Sequence, residues 1–202
     1  MRRPNLPLQS MFFFDPPLFA LINADAHTPA LSIAAARFIS AWIPKVGMAL
    51  LLLGLWRGSP ALRRSLSMLL LSMALAWCIA RLIRWGFPMP RPVQLHMGMQ
   101  WLEHGLRASF PSMHAAGAFA LAMAVSLGCT RHNRVLVALA WAAALAMAWS
   151  RVHLGVHFPS DVLAGALVGM LSAILIWRAA HALRQRRWLR LGRLRKRLAP
   201  GI

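Results

Sequence analysis

Five apolar runs, each followed within two residues by an arginine, fix the medium in which this chain can fold. They lie at about 31–56, 65–83, 112–130, 135–149 and 160–177. With 59% hydrophobic residues and a mean hydropathy of +0.56 over 202 residues, the chain carries more apolar sequence than a soluble domain of that length. The expected fold class is an all-α, polytopic membrane helix bundle of about five to six transmembrane helices. The last three charge-free cores are only about 16 residues, short of the ~20 that a spanning helix needs. Polar motifs flanking them must supply the missing turns, which places those motifs at or just inside the membrane boundary.

Three segments are expected. Residues 1–28 form an interfacial, irregular N-terminal segment, broken by Pro4, Pro7, Pro16 and Pro17, with the aromatic run Met11 to Phe14 and a short interfacial helix over 18–26. The prolines come too soon after Met1-Arg2-Arg3 for a signal peptide. Residues 29–177 form the transmembrane domain. Residues 178–202, with eight Arg and one Lys, form a basic cytoplasmic tail facing anionic lipid. That tail has Trp188 as its one aromatic and no nucleic-acid motif, so no nucleic-acid partner is expected. Cys78 and Cys129 fall inside apolar runs and read as small hydrophobes. Lys45 interrupts the first run and reads as snorkelling to an interface, with a side chain facing the polar site as the alternative.

The formal net charge is +19, and its distribution sets an orientation. The connections at 57–64 and 131–134 and the tail are all basic, and five spans put them on one side. By the positive-inside rule that side is cytoplasmic. The connections 84–111 and 150–159 then share the outer face; Arg2 and Arg3 oppose this only weakly.

Those two outer connections hold the chain's unusual chemistry. Asp161, one of only four acidic residues, follows His157 by four positions, and the turn through Phe158-Pro159-Ser160 can join them. A carboxylate on one imidazole nitrogen fixes the tautomer and leaves the other able to attack. Pro111-Ser112-Met113-His114 reads as a helix start whose backbone N–H groups and dipole suit an anion, with His114 placed to donate a proton. Arg84 and Arg91 flank a proline-containing connector, and Arg151 lies six residues before His157; guanidinium forks match phosphate oxygens. His153, His157 and Asp161 share a spacing that a metal could use. Gly155 and Pro159 interrupt that helix and the arginines repel a cation, so no metal is expected and His153 reads as interfacial or supporting. Glu103 and His104 read as a solvated loop pair, with a tuning role for the site as the alternative.

Taken in order, Arg84-x6-Arg91-Pro92, Pro111-Ser112-Met113-His114 and Ser150-Arg151-x5-His157-x3-Asp161 resemble the three-part signature of the phosphatidic acid phosphatase type 2 superfamily. The resemblance covers about residues 30–177. Ser-Phe-Pro-Ser-x-His, with the short N-terminal segment and five spans, looks most similar to bacterial undecaprenyl-diphosphate phosphatases. Two positions depart from the pattern: Arg84 stands where Lys is usual, and Met113 where Gly is usual.

The resemblance implies a phosphatase without metal or other cofactor. His157 would be the nucleophile, Asp161 its orienting partner and His114 the acid. Arg84, Arg91, Ser112, Arg151 and the Met113 backbone would hold the phosphoryl oxygens. It implies a multi-pass protein of the bacterial inner membrane whose site faces the periplasm. The partner would be a membrane lipid phosphate or diphosphate, foremost undecaprenyl diphosphate hydrolysed for cell-envelope precursor recycling. The alternatives are a phosphatidylglycerophosphate or lipid A phosphatase, a lipid phosphotransferase and, from another class, a non-catalytic lipid-phosphate binding or transport protein.

Overall fold

The computed structural model describes residues 12–103, 105, 107–128 and 133–198, with side chains described as far as residue 186. Cys129, His104 and residues 131–132 of the 131–134 turn lie outside the described residues. Six α-helices are described: α1 Asp15–Ile22, α2 Ala30–Arg57, α3 Pro60–Gly86, α4 Met113–Gly128, α5 Arg134–His153 and α6 Pro159–Leu198. A 3₁₀ turn, Pro92–Leu95, interrupts the long connection between α3 and α4.

Helices α2, α3, α5 and Pro159–Arg186 of α6 are long and apolar enough to cross a membrane. The chain is a multi-pass membrane protein. Its fourth helix in order, α4, has 16 residues, or about 24 Å of rise, less than the ~30 Å hydrocarbon core. Packing explains how a short helix suffices. It lies against α3, α5 and α6, and Ala115, Ala116, Phe119, Ala120, Ala122 and Ala124 are all buried. Protein rather than lipid surrounds it.

Close packing of α4 on α6 depends on two glycines. A Cβ at Gly165 would overlap the carbonyl oxygen of Ser112, and one at Gly169 would overlap that of Ala116 and lie 2.7 Å from the Ala120 nitrogen. Small residues four apart let two backbones approach, as they do between membrane helices generally. Here the approach also draws the start of α4 onto the start of α6. Gly169→Ala is expected to cost about 1–3 kcal/mol, because the obstruction is backbone and cannot swing aside. Gly47→Ala in α2, with nothing within 4 Å of the added carbon, is the control and should be neutral or stabilising. Thermal unfolding of both variants in detergent checks the contrast.

The α2 helix packs at the edge of the bundle, against α5 and α3. Only Ile33, Ala36, Ser40 and Leu51 are buried along its 28 residues, and Phe38, Trp42, Val46 and Leu50 present an apolar exterior. Lys45 lies on that exterior with its ammonium 5.1 Å from the Trp42 ring centre, so it does not face the polar site. The turn between α2 and α3 is capped by Ser59, whose hydroxyl accepts from the Leu62 N–H at 3.3 Å, with Pro60 in the first helical position.

The N-terminal helix differs from the expectation of 18–26. It starts at Asp15 because Pro16 and Pro17 occupy first-turn positions, where no backbone N–H is needed, and ends at Ile22. It is also docked rather than peripheral: Phe19 is 1% exposed and its ring stands 5.4 Å from that of Phe158. At the other end of the chain, α6 runs unbroken through the 177/178 boundary to Leu198.

Candidate active site

The last residues of α3, the 84–112 connection, the start of α4 and the turn between α5 and α6 meet at one end of the bundle. Gly155 makes that last turn possible. Its φ is +71°, and any Cβ there would strike the Met99 carbonyl. The chain then reverses through Val156 and His157 into Pro159, the first residue of α6.

His157 is 1% exposed. Its Nδ1 lies 3.2 Å from Asp161 Oδ2 and 3.1 Å from Ser109 Oγ. The Ser109 hydroxyl itself donates to Asp161 Oδ2, so its lone pair faces Nδ1. Both neighbours therefore accept from Nδ1–H, which fixes the proton there and leaves the lone pair on Nε2. Burial, followed by the charges of Arg151, Arg91, Arg84 and His114, holds the His157 pKa well below 6.5. A neutral imidazole is the nucleophilic form.

Asp161 serves the helix as well as the histidine. Phe158 occupies the N-cap of α6, and its N–H donates to Asp161 Oδ2 at 2.9 Å, which is half of a capping box. The next orphan donor, the Ser160 N–H, is taken by Asp15 Oδ1 at 2.9 Å, while the Ser160 hydroxyl donates to Asp15 Oδ2 at 2.6 Å. Two of the four acids thus stabilise the positive end of the helix that carries the histidine's partner.

The arginines are held rather than loose. Arg84 donates from Nε to the Pro111 carbonyl at 2.9 Å and from Nη2 to that of Ser109 at 3.1 Å. Arg91, 1% exposed, donates to the carbonyls of Val156 (2.6 Å), Arg107 (2.9 Å) and Ala108 (3.4 Å). It stitches the residue before His157 to the 107–108 loop. Burial lowers its pKa, and Asp161 acts in the opposite direction. Arg84 spans two carbonyls with one planar fork, which a single ammonium cannot reproduce. Arg84→Lys, the replacement that restores the more usual residue, is therefore expected to lower kcat/KM about tenfold here, measured as phosphate release.

A cavity of about 340 Å³ opens from His157 to the surface. Arg84, Arg91, Met113, His114 and His157 line it, together with Glu103, Gly105 and Arg107. Ser112 and Arg151 stand behind this lining. Ser112 is fully buried; its N–H donates to the Asp161 carbonyl at 2.8 Å and its hydroxyl accepts from the Ala115 N–H at 3.5 Å. Arg151, 1% exposed, donates to Ser40 Oγ. His153 is turned to the N-terminal segment: Nδ1 donates to the Ile22 carbonyl at 2.8 Å, so Nε2 accepts from Ser32 Oγ at 2.9 Å. Both ring nitrogens serve structure, which removes His153 from the metal-ligand set its spacing suggested.

Four residues of this end were not foreseen. Ser109 stood inside the quoted Ser-Phe-Pro-Ser run without a role. Asp15 had only its scarcity as an acid to mark it. Asn23 donates from Nδ2 to the carbonyls of Met99 (2.9 Å) and His153 (3.1 Å) and accepts from the Met99 N–H (2.8 Å), so it ties three segments together. Arg107 lies in the loop between the first two motifs.

Residues 65–185, which include every one of the three motifs, match the family model described as the PAP2 superfamily. This chain belongs to the PAP2 superfamily. It is a PAP2-type phosphatase. Among PAP2 relatives it is 37% identical to YbjG of Escherichia coli (strain K12), provisionally named an undecaprenyl-diphosphatase, over 84% of this chain and 86% of that one. It is 28% identical to the undecaprenyl-diphosphatase BcrC of Bacillus subtilis (strain 168), over 83% and 84% of the two chains. The crystal structure of Aquifex aeolicus LpxE superposes with a TM-score of 0.70 at 28% identity, covering 83% of this chain and 96% of that one.

Proposed function

We propose that this PAP2 phosphatase hydrolyses undecaprenyl diphosphate to undecaprenyl phosphate at the outer face of a bacterial inner membrane, through a phosphohistidine on His157. The observation that carries the reading is the hydrogen-bonded set His157, Asp161 and Ser109 at the base of a cavity lined by Arg84, Arg91 and His114. Similarity to relatives named undecaprenyl-diphosphatases over more than four-fifths of the chain supports the substrate.

In this reading, His157 Nε2 attacks the terminal phosphorus. Its bond to the bridging oxygen breaks as His114 gives that oxygen a proton, and undecaprenyl phosphate leaves. Water then attacks the phosphohistidine phosphorus while His114 takes a proton from it, the P–N bond breaks and inorganic phosphate is released. Asp161 stabilises the positive ring at each stage. Arg84 and Arg91, pre-set by their carbonyl contacts, and the Met113 N–H at the cavity wall hold the phosphoryl oxygens, with Ser112 and Arg151 supporting them from behind. The prenyl tail stays in the bilayer beside the helices.

Orientation rests on charge. All four acids, Asp15, Asp25, Glu103 and Asp161, lie at the end that holds the site, while Arg57, Arg63, Arg64, Arg134, Arg178, Arg184 and Arg186 lie at the other. The basic end faces the cytoplasm and its anionic lipids.

Phosphate release by the purified protein in detergent, without added metal, tests the substrate. Undecaprenyl diphosphate, phosphatidylglycerophosphate and a lipid A 1-phosphate are compared. A clear preference for the diphosphate supports the proposal. A preference for either other lipid replaces the substrate and keeps the mechanism. Silence on all three contradicts both.

A further inference from the structure

The cavity has a buried floor and an exposed rim, and the two carry different charges. At the floor, Arg91 and His157 are each 1% exposed. At the rim, Glu103 and Arg107 are exposed, and Arg107 is the cation there among the described lining residues. Arg107 is not placed at random along its loop. Its own carbonyl, and that of Ala108, accept hydrogen bonds from the Arg91 guanidinium. The group that holds the terminal phosphate therefore also sets where the Arg107 backbone stands.

We propose that Arg107 is a specificity-determining residue that binds the second phosphate of a lipid diphosphate. The assignment rests on the phosphatase reading above. With the terminal phosphorus at His157, the next phosphate along the substrate lies one bridging oxygen further out, toward the rim. Glu103 disfavours an anion on its side of the mouth and leaves the Arg107 guanidinium as the partner there. A guanidinium fork matches phosphate geometry. When the P–O bond breaks, the leaving phosphate gains charge, so the same contact strengthens toward the transition state. A lipid monophosphate presents nothing at that position and draws nothing from Arg107.

The test compares a C15 prenyl diphosphate with the matching prenyl monophosphate, so that the tail is common to both. Wild type, Arg107→Ala and Arg107→Lys are assayed after size-exclusion chromatography in detergent shows each folded. The substitutions keep the Arg107 carbonyl and hence its bond from Arg91. For Arg107→Ala, kcat/KM on the diphosphate should fall about 10- to 100-fold, less than for a fully buried donor because the rim is wet. Activity on the monophosphate, or its inhibition constant against the diphosphate where it is not turned over, should stay within about threefold, and Lys should restore part of the diphosphate rate. An equal fall on both substrates, or none on either, overturns the assignment. A wild-type protein active on the monophosphate but inert on the diphosphate overturns the proposed substrate itself, and the Arg107 role with it.

Discussion

His157→Ala protein is expected to insert and fold normally yet release phosphate at least about 10⁴-fold more slowly than wild type. Removing an enzyme's nucleophile costs this much or more, some 5.5 kcal/mol of transition-state stabilisation. Folding should survive because the helix cap survives. Asp161 Oδ2 keeps its bonds from the Phe158 N–H and the Ser109 hydroxyl when the ring is gone. Burial and four nearby cationic groups disfavour the imidazolium, so His157 stays neutral as the pH falls through 6.5. The acid limb of kcat/KM should therefore begin below pH 6.5. Substantial turnover by His157→Ala would remove the residue from the nucleophile's place.

Asp161→Asn should cost about 10³- to 10⁴-fold with little loss of fold. The isosteric amide can still accept from Phe158 N–H, so α6 keeps its cap. It cannot stabilise the positive ring that forms during phosphoryl transfer. In the opposite amide orientation the NH₂ would face Nδ1 and force the proton onto Nε2, the atom that must attack, but the Phe158 N–H would then lose its acceptor, because one carboxylate oxygen serves both groups in the wild type. A comparable substitution of the histidine-orienting carboxylate in serine-protease triads has an effect of about this size. Asp161→Ala is the worse probe of catalysis, because it leaves the Phe158 N–H and the Ser109 hydroxyl without their buried acceptor, at about 1–3 kcal/mol each. Phosphate release by Asp161→Asn, alongside its thermal unfolding, separates the two effects. Near-normal turnover would show that His157 needs no charged partner.

What the sequence made legible follows interaction range. Four of the runs became the long helices α2, α3, α5 and α6 because hydrocarbon selects apolar length directly, while the fifth became the shorter α4, covered by protein. The pair His157 and Asp161 was readable because it is four residues apart across one turn. Asp15 was not: it meets Ser160 across 145 positions, and Asn23 meets Met99 across 76. No local pattern announces such contacts, and the adjacent prolines Pro16 and Pro17 argued against a helix there when in fact they begin one. Arginine roles were legible in kind but not in placement. Arg84 and Arg91 line the cavity and also fasten the 107–111 stretch and the residue before His157, whereas Arg151 is buried behind the lining beside Ser40. Whether a guanidinium meets the cavity or a carbonyl depends on where loops close, which spacing alone does not encode.

Capture of the phosphoenzyme tests His157 as nucleophile without recourse to rates. Protein mixed with undecaprenyl diphosphate labelled in its terminal phosphate would be quenched in alkali within milliseconds, digested and mapped. An acid-labile, alkali-stable phosphoryl group is expected on His157, present in wild type and absent from His157→Ala. Label on another residue, or steady turnover with no label on the protein under conditions that accumulate the intermediate, would contradict it.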